Sequence, residues 1–426
     1  MKILELREYD VITSNRDASE QFGYVYLEKS AFNQLQDLIF TFNEYEEVDD
    51  AIDFLSISSK RNVGKVIRAK NYVGVLQVND HVQLQILPKI HGGTQEDPKK
   101  TFLKMLKSLK DFPSKSFNES NLYTDKMPIF EVFIRLYIME VQYLVKRGLK
   151  SAYYEIEDNL KVFKGKMNFA QQIKHNTVHR ERFYVQYDEF GLNRPENRLI
   201  KSTLELLVKQ STSAENIKEL RKLLLHFELV QSSMAIDKDF SQVKIDRNSK
   251  DYESSLKWSK VFLKRMSFTM FAGEATAQSL LFPMEKVFES YIGKTLSKML
   301  VGTEWTVNLQ DRKYYLFERQ FALRPDIVLR NERTQCTIII DTKWKLLKNE
   351  PRKNYGISQA DMYQMYAYAK KYNTNEIVLV YPKTEAFSDD EDISFMSDDG
   401  VNVKVFFVDC HWIENSLTKL IEYTGI

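Results

Sequence analysis

The run Cys336-Thr-Ile-Ile-Ile-Asp341-Thr-Lys343 constrains this chain more than any other stretch. Its apolar core is short, β-branched and unbroken, the pattern of a strand buried at the centre of a sheet. An aspartate closing such a strand is costly unless a partner or a metal takes its charge. Lys343 lies two residues further on, and in an extended chain it shares a face with Asp341. Around this run come a helix over 284–300, strand-like WTVNL, KYYLFERQF, LRPDIVLR and CTIIID, a helix SQADMYQMYAYAKKY, strands EIVLVY and VNVKVFFV, and a closing helix. That order predicts an α/β unit around one mixed sheet over residues 266–426.

The rest of the chain reads differently. Residues 1–95 predict a small α/β domain, with helical spacing over 28–42 and then VGKVIRAK, YVGVLQV and VQLQILPKI as consecutive strands, Asn79-Asp80 being a turn. Residues 96–265 predict a mainly helical middle domain, carried by KKTFLKMLKSLK, IFEVFIRLYIMEVQYLVKRGL and NRLIKSTLELLVKQ. A less regular, basic insertion over 153–193 interrupts it, and the acidic stretch 388–400 reads as a solvated connecting loop. The expected whole is a multidomain α/β chain.

Composition excludes several classes. With 23 Tyr and 27 Phe against 14 Gly and 9 Pro, the chain is expected to be ordered throughout. A net charge of +2 excludes a generally basic nucleic-acid binder, so any DNA surface must come from local clustering. The two cysteines, Cys336 and Cys410, form no Cys-x-x-Cys pair, and Cys336 is expected in the core. The opening MKILELREYD has no apolar stretch and no apolar run suits a membrane span, so a cytoplasmic protein without membrane contact is expected. No G-x-x-x-x-G-K-[ST] phosphate loop is present. Gly293-Lys294-Thr295 imitates its end, but Phe288 stands at the first glycine and the segment reads as mid-helix.

Pro325-Asp326 followed by Asp341-Thr342-Lys343 places two carboxylates and a lysine at the ends of neighbouring strands. Phosphodiester hydrolysis asks for that set. Carboxylates hold Mg²⁺, a hard cation that takes oxygen ligands, and the Thr342 carbonyl is a candidate further ligand. The cation activates a water, and the lysine orients it or stabilises transition-state charge. Taken alone, Asp326 reads equally as a strand-end turn residue or an ion-pair partner, and Arg324 as a phosphate contact or a carboxylate partner.

These residues resemble the P-D…(D/E)-x-K motif of restriction-endonuclease-like nucleases. The resemblance implies a metal-assisting role for Glu289 in KVFESYI, which otherwise reads as a surface or ion-paired glutamate. Gln364-Met-Tyr-Ala-Tyr368 resembles the Q-x-x-x-Y motif of the RecB-like branch, and the two residues share a helix face. For Tyr368 core packing is the favoured role, while Gln364 reads either way.

A wider resemblance spans most of the chain. YVGVLQVNDHVQLQILPKI, NLKVFKGKMNFAQQIKHN, FYVQYDEFGLNRPENRLIKSTL, DYESSLKWSKVFL and FAGEATAQSLLFPMEKVFESYI, leading into RPDIVL and IIIDTKW, are similar to the McrC family. McrC is the nuclease subunit of the McrBC modification-dependent restriction system. Membership implies a Mg²⁺-dependent endonuclease acting on double-stranded DNA that carries 5-methylcytosine. It also implies a partner, a McrB-like hexameric AAA+ GTPase that binds the GTP and whose hydrolysis the subunit stimulates. The competing reading is a non-catalytic assembly subunit that only activates the GTPase. In the family the N-terminal and middle parts engage the ring. Lys164, Lys166, Lys174, Arg180 and Arg182, with Lys161 and the aromatics Phe163, Phe169, Phe183 and Tyr184, are the candidates for DNA or partner contact. A solvated face accounts for the same cluster. His175 and His179 can pair on a metal only if both are helical, and Asn193–Arg198 reads as capping and ion pairing.

Overall fold

A computed structural model describes residues 2–44, 54–79, 81–90, 98–110, 112–113, 127–243, 250–264, 279–387 and 391–426. The expected domain boundaries near 95 and 265, and Asp80 of the expected turn, lie outside the described residues. The chain divides into two compact units. One takes Met1–Lys115, Tyr123–Ile129 and Ser267–Ile426, and the other takes Ser116–Leu122 and Phe130–Met266.

In the first unit the β-rich N-terminal sequence splits between two sheets. Strands Val25–Tyr26, Val11–Thr13, Gly64–Ala69 and Leu55–Lys60 form one, in that order. Strands Lys2–Arg7, Val82–Leu87, Tyr72–Asn79 and Ser279–Pro283 form the other. The runs expected as consecutive strands are all strands, but the chain changes sheets between Ala69 and Tyr72. Helix Lys29–Glu44 buries Phe32, Leu35 and Ile39 in a core with Ile67, Leu76, Leu84 and Ile86, drawn from both sheets.

The last strand of the second sheet comes from far along the chain. Ser279–Pro283 pairs antiparallel with Tyr72–Asn79, setting Leu281 opposite Gly74. Gly74 has φ 138°, and a Cβ there would stand 1.9 Å from the Leu280 carbonyl oxygen, so only glycine permits this approach. The strand runs directly into helix Met284–Met299. Asn71 holds the junction: its carbonyl accepts from the Met284 N–H at 2.9 Å, and its side-chain amide donates to Glu285 Oε1 at 2.8 Å.

A mixed sheet of six strands organises the rest of this unit, in the order Trp305–Leu309, Ile327–Asn331, Thr337–Thr342, Glu376–Pro382, Asn402–Val408, Ile393–Met396. Thr337–Thr342 is central as expected, antiparallel to Ile327–Asn331 and parallel to Glu376–Pro382. Helix Gln359–Tyr372 packs Met365, Tyr368, Ala369 and Tyr372 against Val328, Ile339, Ile377 and Leu379. A capping box starts it, with Ser358 and Asp361 each accepting from the other's backbone N–H. Gly293 lies mid-helix against the sheet, where a Cβ would meet Leu309 Cδ2 at 2.8 Å. Its smallness serves helix–strand packing and not a phosphate loop.

Three expectations are corrected in this unit. KYYLFERQF is a short hairpin, Tyr315–Phe317 against Gln320–Ala322, outside the main sheet. The acidic stretch contains an edge strand, Ile393–Met396, whose Ile393 is buried; the flanking aspartates mask so short an apolar pattern, and 388–390 lie outside the described residues. Cys336 is exposed, because it sits in the turn before the strand begins at Thr337; Cys410 is the buried thiol.

The second unit contains helices Pro195–Gln210, Ala214–Leu225 and Glu253–Lys264. Tyr137, Leu204, Trp258 and Phe262 are buried there. The stretch expected to be irregular is a sheet: Ala152–Leu160 pairs with Phe183–Gly191 along its full length, and Lys166–Met167 adds a third strand. Ala152–Leu160 has no buried residue; Ala152, Tyr154 and Ile156 are half-buried on one face, and this short alternation breaks off at Asp158-Asn159, which leaves only a weak strand signal in the sequence. Asn197 is fully buried, accepting from Tyr252 Oη at 2.9 Å and donating to the Leu192 carbonyl at 2.7 Å. Arg198 forms a two-nitrogen pair with Asp239, so the Asn193–Arg198 patch is structural. Among the described residues no helix is long and apolar enough to cross a membrane.

Gly74→Ala is expected to push strand Ser279–Pro283 off its neighbour and lower Tm by several degrees, on the scale of about 2 kcal/mol for a forced backbone clash. Thermal unfolding followed by circular dichroism checks this, and an unchanged Tm contradicts the pairing.

Candidate active site

Asp326 stands immediately before strand Ile327–Asn331, and Asp341 and Thr342 close the neighbouring central strand. Asp326 Oδ2 ties the two together, accepting from the Thr342 N–H at 2.8 Å and from Thr342 Oγ1 at 2.7 Å. That clamp fixes the end of the central strand and therefore the directions of Asp341 and Lys343 on either side of Thr342. Asp341 is 1% exposed. Its Oδ2 lies 2.6 Å from Lys343 Nζ, a close ion pair.

Lys343 is held from the helix side as well. Its Nζ donates to Gln364 Oε1 at 3.3 Å and lies 3.9 Å from Asp361 Oδ1. Gln364 Nε2 in turn donates to Tyr368 Oη at 2.7 Å. The one-turn spacing of Gln364 and Tyr368 thus makes a relay from the buried phenol to the lysine. Glu289, on helix Met284–Met299, accepts from the Gln310 side-chain amide, and the Gln310 N–H donates to the Asp326 carbonyl at 2.8 Å. Glu289, Asp326, Asp341, Thr342, Lys343 and Gln364 line one cleft of about 450 Å³.

The electrostatics follow from crowding. Burial, and then the charges of Asp326 and Asp341, push the Glu289 carboxyl up to about 7. Burial, and then the Asp326 charge, push Asp341 up to about 7, although Lys343 opposes this. Burial raises Asp326 too, against its two hydrogen bonds from Thr342. Burial works to lower Lys343, but Asp341, Asp326 and Asp361 outweigh it and its pKa is raised, so the ammonium stays charged at neutral pH. Three carboxylates and one lysine leave an uncompensated negative charge whenever the acids ionise.

A hard divalent cation fits this donor set. The carboxylates supply oxygen ligands, and Lys343 alone does not balance their three charges. No group of three or more His, Cys, Asp or Glu forms a preformed metal cage among the described residues. Mg²⁺ keeps several waters and takes one or two carboxylates, a demand that Asp326 and Asp341 are enough to meet. Thr342 enters through its amide and hydroxyl, both given to Asp326, and its carbonyl remains the candidate ligand.

Other candidates lie elsewhere. Arg324 is exposed and outside the cleft lining. Lys164, Lys166, Lys174, Arg180 and Arg182 belong to the second unit. Lys164 Nζ lies 3.9 Å from the centre of the Tyr187 ring; Lys166, Lys174 and Arg180 are exposed, as are Phe163, Phe169 and Ile173. His175 stacks on Tyr184 and ends its helix one residue later, so His179 is not one helical turn above it.

Sequence reasoning missed Gln310, Asp361 and Glu8. Asp361 had a signal, the capping spacing Ser358-x-x-Asp361. Glu8 had none. It is fully buried, accepting from Trp344 Nε1 at 2.9 and 3.1 Å and from the Lys89 N–H at 3.0 Å. Burial still pushes it up to about 8. Trp344 follows Lys343 directly, packs on Phe288 and lines the cleft. The N-terminal sheet therefore braces the lysine-bearing segment from behind.

Comparison with known proteins places these features in context. The family described as McrBC 5-methylcytosine restriction system component matches residues 67–382. A chain of a Thermococcus gammatolerans assembly, a refined half-complex of McrB AAA+ hexamers with bound McrC, is similar in fold over 99% of this chain and 100% of its own, with TM-score 0.67 and 20% identity. A chain of the McrBC complex from the same organism, solved by cryo-EM, gives TM-score 0.48 and 22% identity over 70% of this chain and 88% of its own. No curated protein matches.

Folded-state pKa values of about 7 for Glu289 and Asp341 lie above their ordinary values of 4.5 and 3.8. Their contribution to stability is full below those ordinary values and is lost as pH rises through about 7. Without divalent cation, Tm is expected to fall across that window, and Mg²⁺ is expected to raise Tm more at about pH 8 than at about pH 5. Differential scanning fluorimetry with and without chelator checks this, and Asp341→Asn should shrink the difference. An equal Mg²⁺ effect at both pH values contradicts the assignment.

Proposed function

Because the chain belongs to the McrBC 5-methylcytosine restriction system component family, we propose that it is the nuclease subunit of such a system, a Mg²⁺-dependent endonuclease that cuts double-stranded DNA. The observation that carries this reading is the cleft that Glu289 shares with Asp326 and Asp341, the two aspartates facing one charged lysine. Asp326 and Asp341, with the Thr342 carbonyl, are the groups that would hold the metal, and Glu289 would assist through the same cleft. Mg²⁺ bound there supplies an activated water and charge screening for the phosphate.

The remaining work falls to protein groups. Lys343 remains an ammonium, so it acts as a fixed cation toward the phosphoryl oxygens and not as a proton acceptor. Gln364 and Tyr368 hold it in place, and Asp341 keeps it beside the metal-binding carboxylates. The Asp326–Thr342 clamp supplies preorganisation, since the reacting groups need no rearrangement as charge develops.

The partner in this proposal is a McrB-like AAA+ GTPase hexamer. The fold likeness to a chain of an assembly of McrB hexamers with bound McrC supports it. GTP belongs to that partner, whose hydrolysis this subunit stimulates, and recognition of 5-methylcytosine belongs to the complex. The basic and aromatic face of the second unit is a proposed contact for the ring or for DNA.

Lys343→Ala is expected to lower cleavage by roughly 100-fold or more, as loss of one fixed charge donor does elsewhere. Mg²⁺ affinity by calorimetry and stimulation of the partner's GTPase are expected to survive. Cleavage at the wild-type rate sinks the assignment of the lysine. Loss of cleavage, metal binding and stimulation together points to a folding defect instead.

A further inference from the structure

The hairpin between Gln310 and Asp326 has no role in the cleft itself, yet both its ends are tied there. Gln310 donates to Glu289 and, through its N–H, to the Asp326 carbonyl. Leu323 N–H donates to the Tyr314 carbonyl at 2.9 Å and closes the base of the hairpin. The Tyr314 ring packs edge-on to Tyr372, with centroids 4.5 Å apart, on the helix that carries Gln364. The base is therefore anchored to the elements that build the site.

The hairpin beyond that anchor is exposed. Tyr315–Phe317 pairs with Gln320–Ala322, and Phe317 and Phe321 are 63% and 71% exposed, edge-to-face with centroids 5.9 Å apart. Arg319 and Phe321 both hold positive φ, 54° and 56°, conformations that non-glycine residues adopt at a cost. Residues 312–324 carry four cations, Arg312, Lys313, Arg319 and Arg324, against the one carboxylate of Glu318, a local net of +3 in a chain of net +2. The neighbouring Asp311 does not offset this, since it pairs with Arg330 at 3.0 Å.

Resting on the nuclease reading, we propose that this hairpin is the DNA-engaging wedge of the site. Its cations pair with backbone phosphates beside the scissile bond, and its two exposed phenylalanines enter a groove and press between base steps. The cleft itself is acidic and repels a polyanion until a cation is bound, so attraction must come from its border. The basic hairpin joined to Gln310 and Asp326 supplies it. Apolar side chains that unstack a base step, with cations on the flanking phosphates, are a recurrent way to seat bent duplex DNA.

The test uses the full chain with a duplex bearing 2-aminopurine and Ca²⁺ in place of Mg²⁺ to hold cleavage off. Two variants are compared with wild type, Arg312→Gln/Arg319→Gln and Phe317→Ser/Phe321→Ser. All four positions are exposed, so both variants are expected to keep the wild-type Tm. The charge variant should lower the slope of log K against log salt by roughly 2, since each phosphate contact contributes about 0.9. The aromatic variant should keep the slope, lose the 2-aminopurine brightening, and cut plasmid at least about tenfold more slowly in Mg²⁺ with the partner present. Unchanged slope, brightening and cleavage in both variants overturn the proposal. A wild-type dimer that the aromatic variant turns monomeric, with DNA binding intact, overturns it in favour of contact between copies. Wild type that binds and brightens the duplex but never cuts would sink the nuclease reading while leaving the wedge standing.

Discussion

Three carboxylates that share a largely buried cleft cannot all be ionised at low cost with a single lysine among them. Asp326, Asp341 and Glu289 are all raised by burial, and the last two are raised further by the Asp326 charge. Lys343 supplies one positive charge and is itself secured by that debt. The geometry around them serves to keep the crowd together. The Thr342 amide and hydroxyl hold Asp326, Gln364 and Tyr368 hold Lys343, and Gln310 holds Glu289. An arrangement that is strained without metal and relieved with it is what a site for a weakly held hard cation requires.

The support for that cleft reaches the first residues of the chain. Strand Ser279–Pro283 belongs to the N-terminal sheet and continues into the helix of Glu289. Glu8, from the segment after the first strand, accepts from Trp344 beside Lys343. Two of the elements that carry site residues are therefore braced by residues from the opposite end of the sequence. Both braces act through neighbours of the site residues: neither Gly74 nor Glu8 lines the cleft, yet each fixes a segment that does.

Much of this was legible in the sequence, and the limits have physical causes. The apolar run ending at Asp341 announced a buried strand with an expensive charge at its tip, and strand and charge are where the run put them. The helix of Gln364 and Tyr368 announced itself by spacing. Glu8 could not be read because its partner is 336 residues away and nothing local marks a glutamate that will be fully buried. The sheet of the second unit was hidden because its covered face buries little, with Val185 the one buried residue in its two long strands, which weakens the alternation that identifies strands. The edge strand at Ile393–Met396 was hidden by its acidic neighbours, and Cys336 was misplaced by a single residue, outside a strand that begins at Thr337.

The central claim is that Asp341 belongs to a metal-dependent phosphodiesterase and not to a purely structural fold. The most direct measurement is cleavage of methylated plasmid DNA, with Mg²⁺ and GTP, by wild type and by Asp341→Ala, each with and without the partner GTPase. Wild type with its partner is expected to cut and the variant is not, while both stimulate GTP hydrolysis equally. Equal cutting by both forms, or stimulation by both with no cutting by either, would contradict that claim.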